Sequence, residues 1–318
     1  MATGARGGDL LGIAGLSRLD VVRLLEAADA IGAPAGAEID RTSLRGRAVA
    51  CLFDASSARH RARFVGAARR LDAAVIEVVA GSEPLVATIA RVVALRADVF
   101  VIGHAASGAP HLAARWLEER GARCAVVNAG DGEHEDPIEA LLGARAIRRA
   151  TGRRDDFSHL RVAIVGDALH APLARSSAML LSTLGAEVRL CAPATLLPPA
   201  LASLRPKDAP GVVRAVHRLD EAIDAADVVL ALPLDAALVG SFVPSSAEYA
   251  RTYGLSARRL ARAKPGALVL HPDAPHHGPE IDDEVAGVVL ADDGVAVWSA
   301  ALALAVQGSI SGSSSDRS

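Results

Sequence analysis

CLFDASSARHRARFVGAARRLDA, residues 51–73, is the stretch that decides the fold. An apolar run, Ala48 to Phe53, ends in small polar residues. A helical pattern follows, with Phe64, Ala67, Ala68 and Leu71 at i, i+3, i+4 and i+7, which predicts one buried stripe. Arg59, Arg61 and Arg63 fall in the first turns of that helix. A strand, a turn of small residues and a helix N-terminus carrying cations is how a chain builds a pocket for phosphate.

Outward from this stretch the same alternation recurs. Leu19 to Ile31 reads as an amphipathic helix, Val75 to Val79 as a strand, Leu85 to Leu95 as a helix and Val99 to Ile102 as a strand. A helix at His111 to Arg120 leads to a strand at Cys124 to Asn128, and a helix at Ile138 to Thr151 ends in the polar junction TGRRDDFSH. The second half repeats the scheme. Strands are expected at Val162 to Val165, Val188 to Cys191, Val228 to Leu232 and Leu268 to His271, with a helix at Leu173 to Leu184. Strands separated by helices predict parallel sheets with right-handed crossovers. The expectation is α/β: two doubly wound domains with parallel sheets, and a last apolar helix, Gly294 to Val306, crossing back onto the first domain.

Composition bounds the function. Of 318 residues, 51% are apolar but only 3% aromatic, so cores must be built from Ala, Val and Leu. A formal charge of −3 leaves no electrostatic footprint for nucleic acid. No apolar run is long enough for a membrane span, and the N-terminal MATGARGGDLLG lacks the apolar core of a signal peptide. Cys51, Cys124 and Cys191 stand far apart and read as buried small hydrophobes, which suits a cytoplasmic protein. The tail GSISGSSSDRS, with residues 309–318, is expected to be disordered.

Several segments carry a resemblance. SARHR at 57–61 stands where one family has S-T-R-T-R, and NAGDGEHEDPIEALL at 128–142 stands where it has N-A-G-D-G, three variable residues, H-P-T-Q and an LL pair. VGDALHAPLARS (165–176), YGLSARRLARAKPGALVLHP (253–272) and HPDAPHHGPEI (271–281) follow in the same order. On these segments the chain resembles the aspartate carbamoyltransferase family, with ornithine carbamoyltransferase more distant. The resemblance implies a carbamoyl-phosphate-type domain at 9–148, an aspartate-type domain at 149–291 and a C-terminal helix at 292–308. It also implies trimers with shared sites, and transfer of a carbamoyl group from carbamoyl phosphate to the α-amino group of aspartate, an early step of pyrimidine biosynthesis. No cofactor is implied.

Against that pattern the site is depleted. Ser57 and Arg59 match phosphate-binding positions, and Arg61 matches one whose part is structural. Ala58 and His60 replace threonines, and Gly103 replaces an arginine that contacts carbamoyl phosphate, leaving the neighbouring His104. Asp136 replaces the histidine that polarises the carbonyl, and Glu139 replaces a glutamine. Gly81 stands where a lysine reaches the neighbouring subunit's site. Pro172 and Pro233 replace arginines of the aspartate pocket, and Asp235 a glutamine. His170 is expected to orient its loop, and His277 falls in the substrate loop. His271, His276 and His277 with Asp273 fit no common zinc spacing, the DGEHED run reads as a solvated loop, and no metal is expected.

Losing one donor aimed at a transition-state charge costs roughly 10²–10³ in rate. With so many positions changed, the expectation is a family member inactive in the family reaction, acting through assembly or through residual binding of a small anionic metabolite at Ser57 and Arg59. Its expected partners are two further copies in a homotrimer, or an active carbamoyltransferase in a heterotrimer. The alternatives are a diverged enzyme acting on another substrate and a genuine aspartate carbamoyltransferase.

Overall fold

The computed structural model describes residues 7–32, 42–54, 58–79, 83–235, 240, 242–272, 278–285, 288–290 and 295–310. The chain divides into two compact units, Met1–Leu141 with Asp293–Ser318, and Leu142–Asp292. Both are α/β with wholly parallel sheets, as the alternation of strand and helix patterns predicts.

The first unit begins with α1 (Arg18–Ile31), held by a capping box in which Ser17 and Asp20 satisfy each other's backbone amides. Then come β1 (Ala48–Phe53), α2 (Ala58–Arg70), β2 (Ala74–Val79), α3 (Leu85–Ala94), β3 (Val99–His104), α4 (Ala109–Glu119) and β4 (Ala125–Asp131). The division between the units falls within α5 (Pro137–Thr151). The sheet order is β2-β1-β3-β4. The connection from β1 goes to one side and β3 returns on the other, so the order reverses between β1 and β3. In open α/β sheets the crevice outside the carboxyl ends of two such strands is where ligands bind. The last register pair there is Phe53 with Gly103.

The stripe Phe64, Ala67, Ala68 and Leu71 is buried, as its spacing predicts. Residues 296–307 form a helix that packs on α1 and α2, with Trp298 fully buried. The Arg63 guanidinium lies 5.0 Å over the Trp298 ring, a cation–π contact. The thiols of Cys51, Cys124 and Cys191 are free and buried, and burial pushes the first and last up to about 12. They are packing groups rather than nucleophiles.

The second unit contains β5 (Arg161–Val165), α6 (Pro172–Thr183), β6 (Glu187–Cys191), β7 (Val212–Val216), α7 (Leu219–Ile223), β8 (Val228–Ala231), α8 (Ser246–Tyr253), α9 (Ala257–Leu260), β9 (Leu268–His271) and β10 (Val288–Leu290). The helix at 296–307 is then α10. The order β10-β9-β8-β5-β6-β7 reverses between β5 and β8. There Leu232 donates its amide to the carbonyl of Val165 at 2.8 Å. Gly166, at φ 136°, passes so close that a Cβ would stand 2.7 Å from that of Leu232. Only glycine fits both the conformation and the space. Among the described residues, no helix is long and apolar enough to cross a membrane.

Candidate functional site

In the first unit, the carboxyl ends of β1, β3 and β4 carry most of the candidate residues. β1 feeds the N-terminal turn of α2, where His60 sits. β3 ends at His104, and β4 runs through a tight loop into α5. The structure brings two candidates together across this edge. Nε2 of His60 lies 2.9 Å from Oε1 of Glu139, with the two side chains 18% and 6% exposed. Such a pair shares a proton: the imidazole N–H donates to the carboxylate, or the carboxylic acid donates to the imidazole.

Asp136 sits immediately before Pro137, the first residue of α5, and its Oδ1 accepts the amide of Glu139 at 3.0 Å. This is an N-cap, and proline at the first helical position completes the signal. The carboxylate is buried and serves its own helix. Gly103 has an equally local explanation. A Cβ there would stand 2.6 Å and 2.9 Å from two ring carbons of Phe53. The ring fills the space through which a longer side chain at 103 would have to leave the backbone.

His104 turns inward on its own loop, its Nδ1 accepting the amide of Ala106 at 2.9 Å. Arg61 points to the edge strand, where it pairs with Glu77 at 3.0 Å in an exposed salt bridge. An exposed pair of this kind contributes little to stability. Of the phosphate-binding remnant, Ser57 and the side chain of Arg59 lie outside the described residues, as do Gly81 and His277.

The segment 128–136 is a scaffold for this edge. Asn128 Nδ2 donates to the carbonyl of Leu11 and to Asp131 Oδ1, both at 2.9 Å. Asp131 also accepts the amides of Gly108 at 2.6 Å and Glu135 at 3.1 Å. Glu135 Oε2 accepts the amide of Ile13 at 2.6 Å, pinning the N-terminal segment, and Gly12 leaves the room for that carboxylate. Each of these buried polar groups is satisfied, which fixes the loop before α5 and with it Asp136 and Glu139.

In the second unit, His170 follows the reversal point at β5. Its Nδ1 lies 2.8 Å from Oδ2 of Asp167, whose Oδ1 accepts the amides of Leu169 and His170 at 3.0 Å. The ring also meets Phe242 edge to face at 5.1 Å. These contacts hold His170 as part of its turn. Pro172 opens α6 as its first residue, and Pro233 follows β8. Neither supplies a cation at this edge.

Sequence reasoning missed the part of Phe53, because strand residues alternate in direction and only the register with β3 shows that this ring covers Gly103. The signal available was its position as the last apolar residue before the polar turn.

Comparison with known proteins agrees with this architecture. A family profile described as the aspartate/ornithine carbamoyltransferase carbamoyl-phosphate-binding domain matches residues 8–149. The chain is 45% identical over 285 residues to an aspartate carbamoyltransferase catalytic subunit of Sorangium cellulosum, covering 87% of this chain and 84% of that one. It is 41% identical over 319 residues to one of Heliobacterium modesticaldum, covering 96% and 97%. Among solved structures, ornithine carbamoyltransferase from Pyrococcus furiosus superposes with a TM-score of 0.78 at 21% identity, covering 95% of this chain and 98% of that one. Ligand-free aspartate transcarbamoylase from Trypanosoma cruzi gives 0.74 at 23%, covering 96% and 97%. These two structures show a shared fold.

Proposed function

Because the chain belongs to the aspartate/ornithine carbamoyltransferase family, we propose that it is a member that keeps the scaffold and has lost carbamoyl transfer. Its remaining roles are assembly, in a homotrimer or with an active carbamoyltransferase, and binding of a small anion near Ser57 and Arg59. The observation that supports this reading is the pairing of Gly103 with Phe53. The family resemblance calls for an arginine at 103 to neutralise carbamoyl phosphate. Here an aromatic ring lies against the position.

The chemistry argues the same way. The reaction brings a phosphate dianion and a dicarboxylate to one centre and builds negative charge on the carbamoyl oxygen. It therefore needs several cations and a donor aimed at that oxygen. At the corresponding positions the chain has Gly103, Asp136, Glu139, Pro172 and Pro233. Asp136 caps a helix and Glu139 engages His60, so neither is available as a donor to an oxyanion.

The test is an assay for carbamoyl aspartate with purified protein, joined to a titration with carbamoyl phosphate and with the family's bisubstrate phosphonate. The expected result is no turnover above the uncatalysed rate and no tight binding of the phosphonate. Turnover at ordinary enzyme rates restores a conventional aspartate carbamoyltransferase, the activity named for the relatives. Co-purification with an active carbamoyltransferase supports the mixed assembly; strict self-association supports the homotrimer.

One observation favours a second reading. The His60–Glu139 pair is sheltered and lies at the ligand-binding edge of the sheet, the setting of a general acid–base group. A diverged enzyme acting on another substrate would use it. A metabolite screen in which one compound raises the melting temperature of the wild type but not of His60→Ala identifies such a substrate.

A further inference from the structure

Among the described residues, one group of three side chains has the composition of a metal centre: His111 on α4, Asp131 at the end of β4, and His134 in the loop that follows. One ligating atom of each lies within 4.8 Å of the other two. Nδ1 of His111 is sealed from solvent and makes no hydrogen bond, a costly state for a polar atom. The two imidazoles meet edge to face, with centroids 5.3 Å apart. His134 Nδ1 is 3.1 Å from Oδ2 of Asp131. None of the three takes part in the His60–Glu139 pair or in the α5 cap.

Burial alone would raise the pKa of Asp131, but hydrogen bonds from His134, the Gly108 amide and Asn128 hold it below the usual carboxylate range. Burial, then His134, lower the pKa of His111. The Gly108, Asn128 and Glu135 donors fix the carboxylate as outer partners do at metal centres.

We propose that His111, Asp131 and His134 form a binding site for a divalent first-row transition cation of the zinc type. Two imidazoles and one carboxylate favour such an ion over calcium or magnesium, which take oxygen ligands. Bonds of about 2.0–2.1 Å set tetrahedral ligand atoms about 3.3 Å apart. From separations within 4.8 Å, the ligand atoms therefore draw together by at most about 1.5 Å. The side chain of His134 lies toward the surface, 40% exposed, while that of Asp131 is fully buried. Three protein ligands leave the fourth position to water. Sequence spacing suggests no metal here, because the two histidines come from different elements.

The test is a titration of the full chain with Co²⁺ alone, read by visible d–d absorption, followed by competition with Zn²⁺. One equivalent is expected to bind and to be displaced by zinc. His111→Ala and His134→Ala are each expected to weaken binding at least about ten-fold, the order seen when a supporting group at a metal centre is lost. A double variant, His276→Ala with His277→Ala, controls for the other histidine-rich segment and is expected to leave binding unchanged. Absence of stoichiometric uptake by the wild type overturns the proposal. So does wild-type affinity in either single variant, or loss of binding in the control. The exposure of His134 makes its truncation compatible with folding, and circular dichroism checks each variant.

Discussion

Nε2 of His60 and Oε1 of Glu139 meet at 2.9 Å, although 79 positions separate them in the chain. The contact joins the first turn of α2 to the first turn of α5, so it ties two helices that flank the carboxyl edge of the sheet. Removing one member deletes this link between the two helices. His60→Ala is expected to cost about 0.5–1.5 kcal/mol in denaturant unfolding, the net contribution of one such hydrogen bond. The double variant His60→Ala with Glu139→Ala is expected to cost less than the sum of the singles, by about 0.5–3 kcal/mol. Strict additivity in the cycle would show that the pair carries no coupling.

Gly103 and Phe53 give a second cycle. Gly103→Ala places a methyl 2.6 Å from the ring of Phe53, so the ring or the strand must move. Overpacking of this kind costs typically about 1–3 kcal/mol. Phe53→Leu alone is destabilising because it leaves a cavity. In the Phe53→Leu background, however, Gly103→Ala is expected to cost much less. Gly103→Arg is expected neither to bind carbamoyl phosphate nor to fold as stably as the wild type. A stable Gly103→Arg protein that binds carbamoyl phosphate with the phenylalanine still in place would sink the proposed blockage.

The cap on α5 separates structure from chemistry at Asp136. Asp136→Ala is expected to lose about 0.5–2 kcal/mol and Asp136→Asn only a small part of that, because asparagine caps as well. Asp136→His restores the family's residue but removes the cap, so it is expected to lower stability without producing turnover. Thermal unfolding of the three variants measures the order. Equal stability of Asp136→Ala and the wild type would show that the 3.0 Å bond to the Glu139 amide contributes nothing.

Much of the scaffold was legible because burial on both faces of a parallel strand leaves a continuous apolar run. Ala48–Phe53 and Leu268–His271 carry such runs and form the expected strands. Val212–Val216 was not legible: it is an edge strand, half exposed, and Arg214 interrupts its apolar pattern. At the site, the resemblance pointed to Gly103, Asp136 and Glu139, but their contacts depend on register and on turns. Phe53 reaches Gly103 only through strand pairing, and His60 reaches Glu139 only through the crossover. The cap at Asp136 was local, with proline following it, and a helix-start reading of D-P-I-E would have found it. Ser57 and His277 lie outside the described residues, so the anion site near Ser57 rests on sequence.

Glu280 sets the expected acid limb of stability in the second unit. Burial alone would raise its pKa, but hydrogen bonds from His271 Nε2 and the Gly278 amide, each 3.0 Å, hold it below its ordinary value of 4.5. A depressed carboxylate means that the unfolded chain takes up the proton first. The pair's stabilisation is then fully present above about pH 4.5 and is lost as pH falls through the lower folded-state value. Glu280→Gln cannot titrate, so its unfolding midpoint is expected to fall less steeply than the wild type's below that pH. Denaturant melts of both proteins between about pH 7 and pH 3 read the difference directly. Parallel curves would mean that the His271–Glu280 contact contributes the same free energy whether or not the carboxyl group carries its proton, which an ion-stabilised pair does not allow.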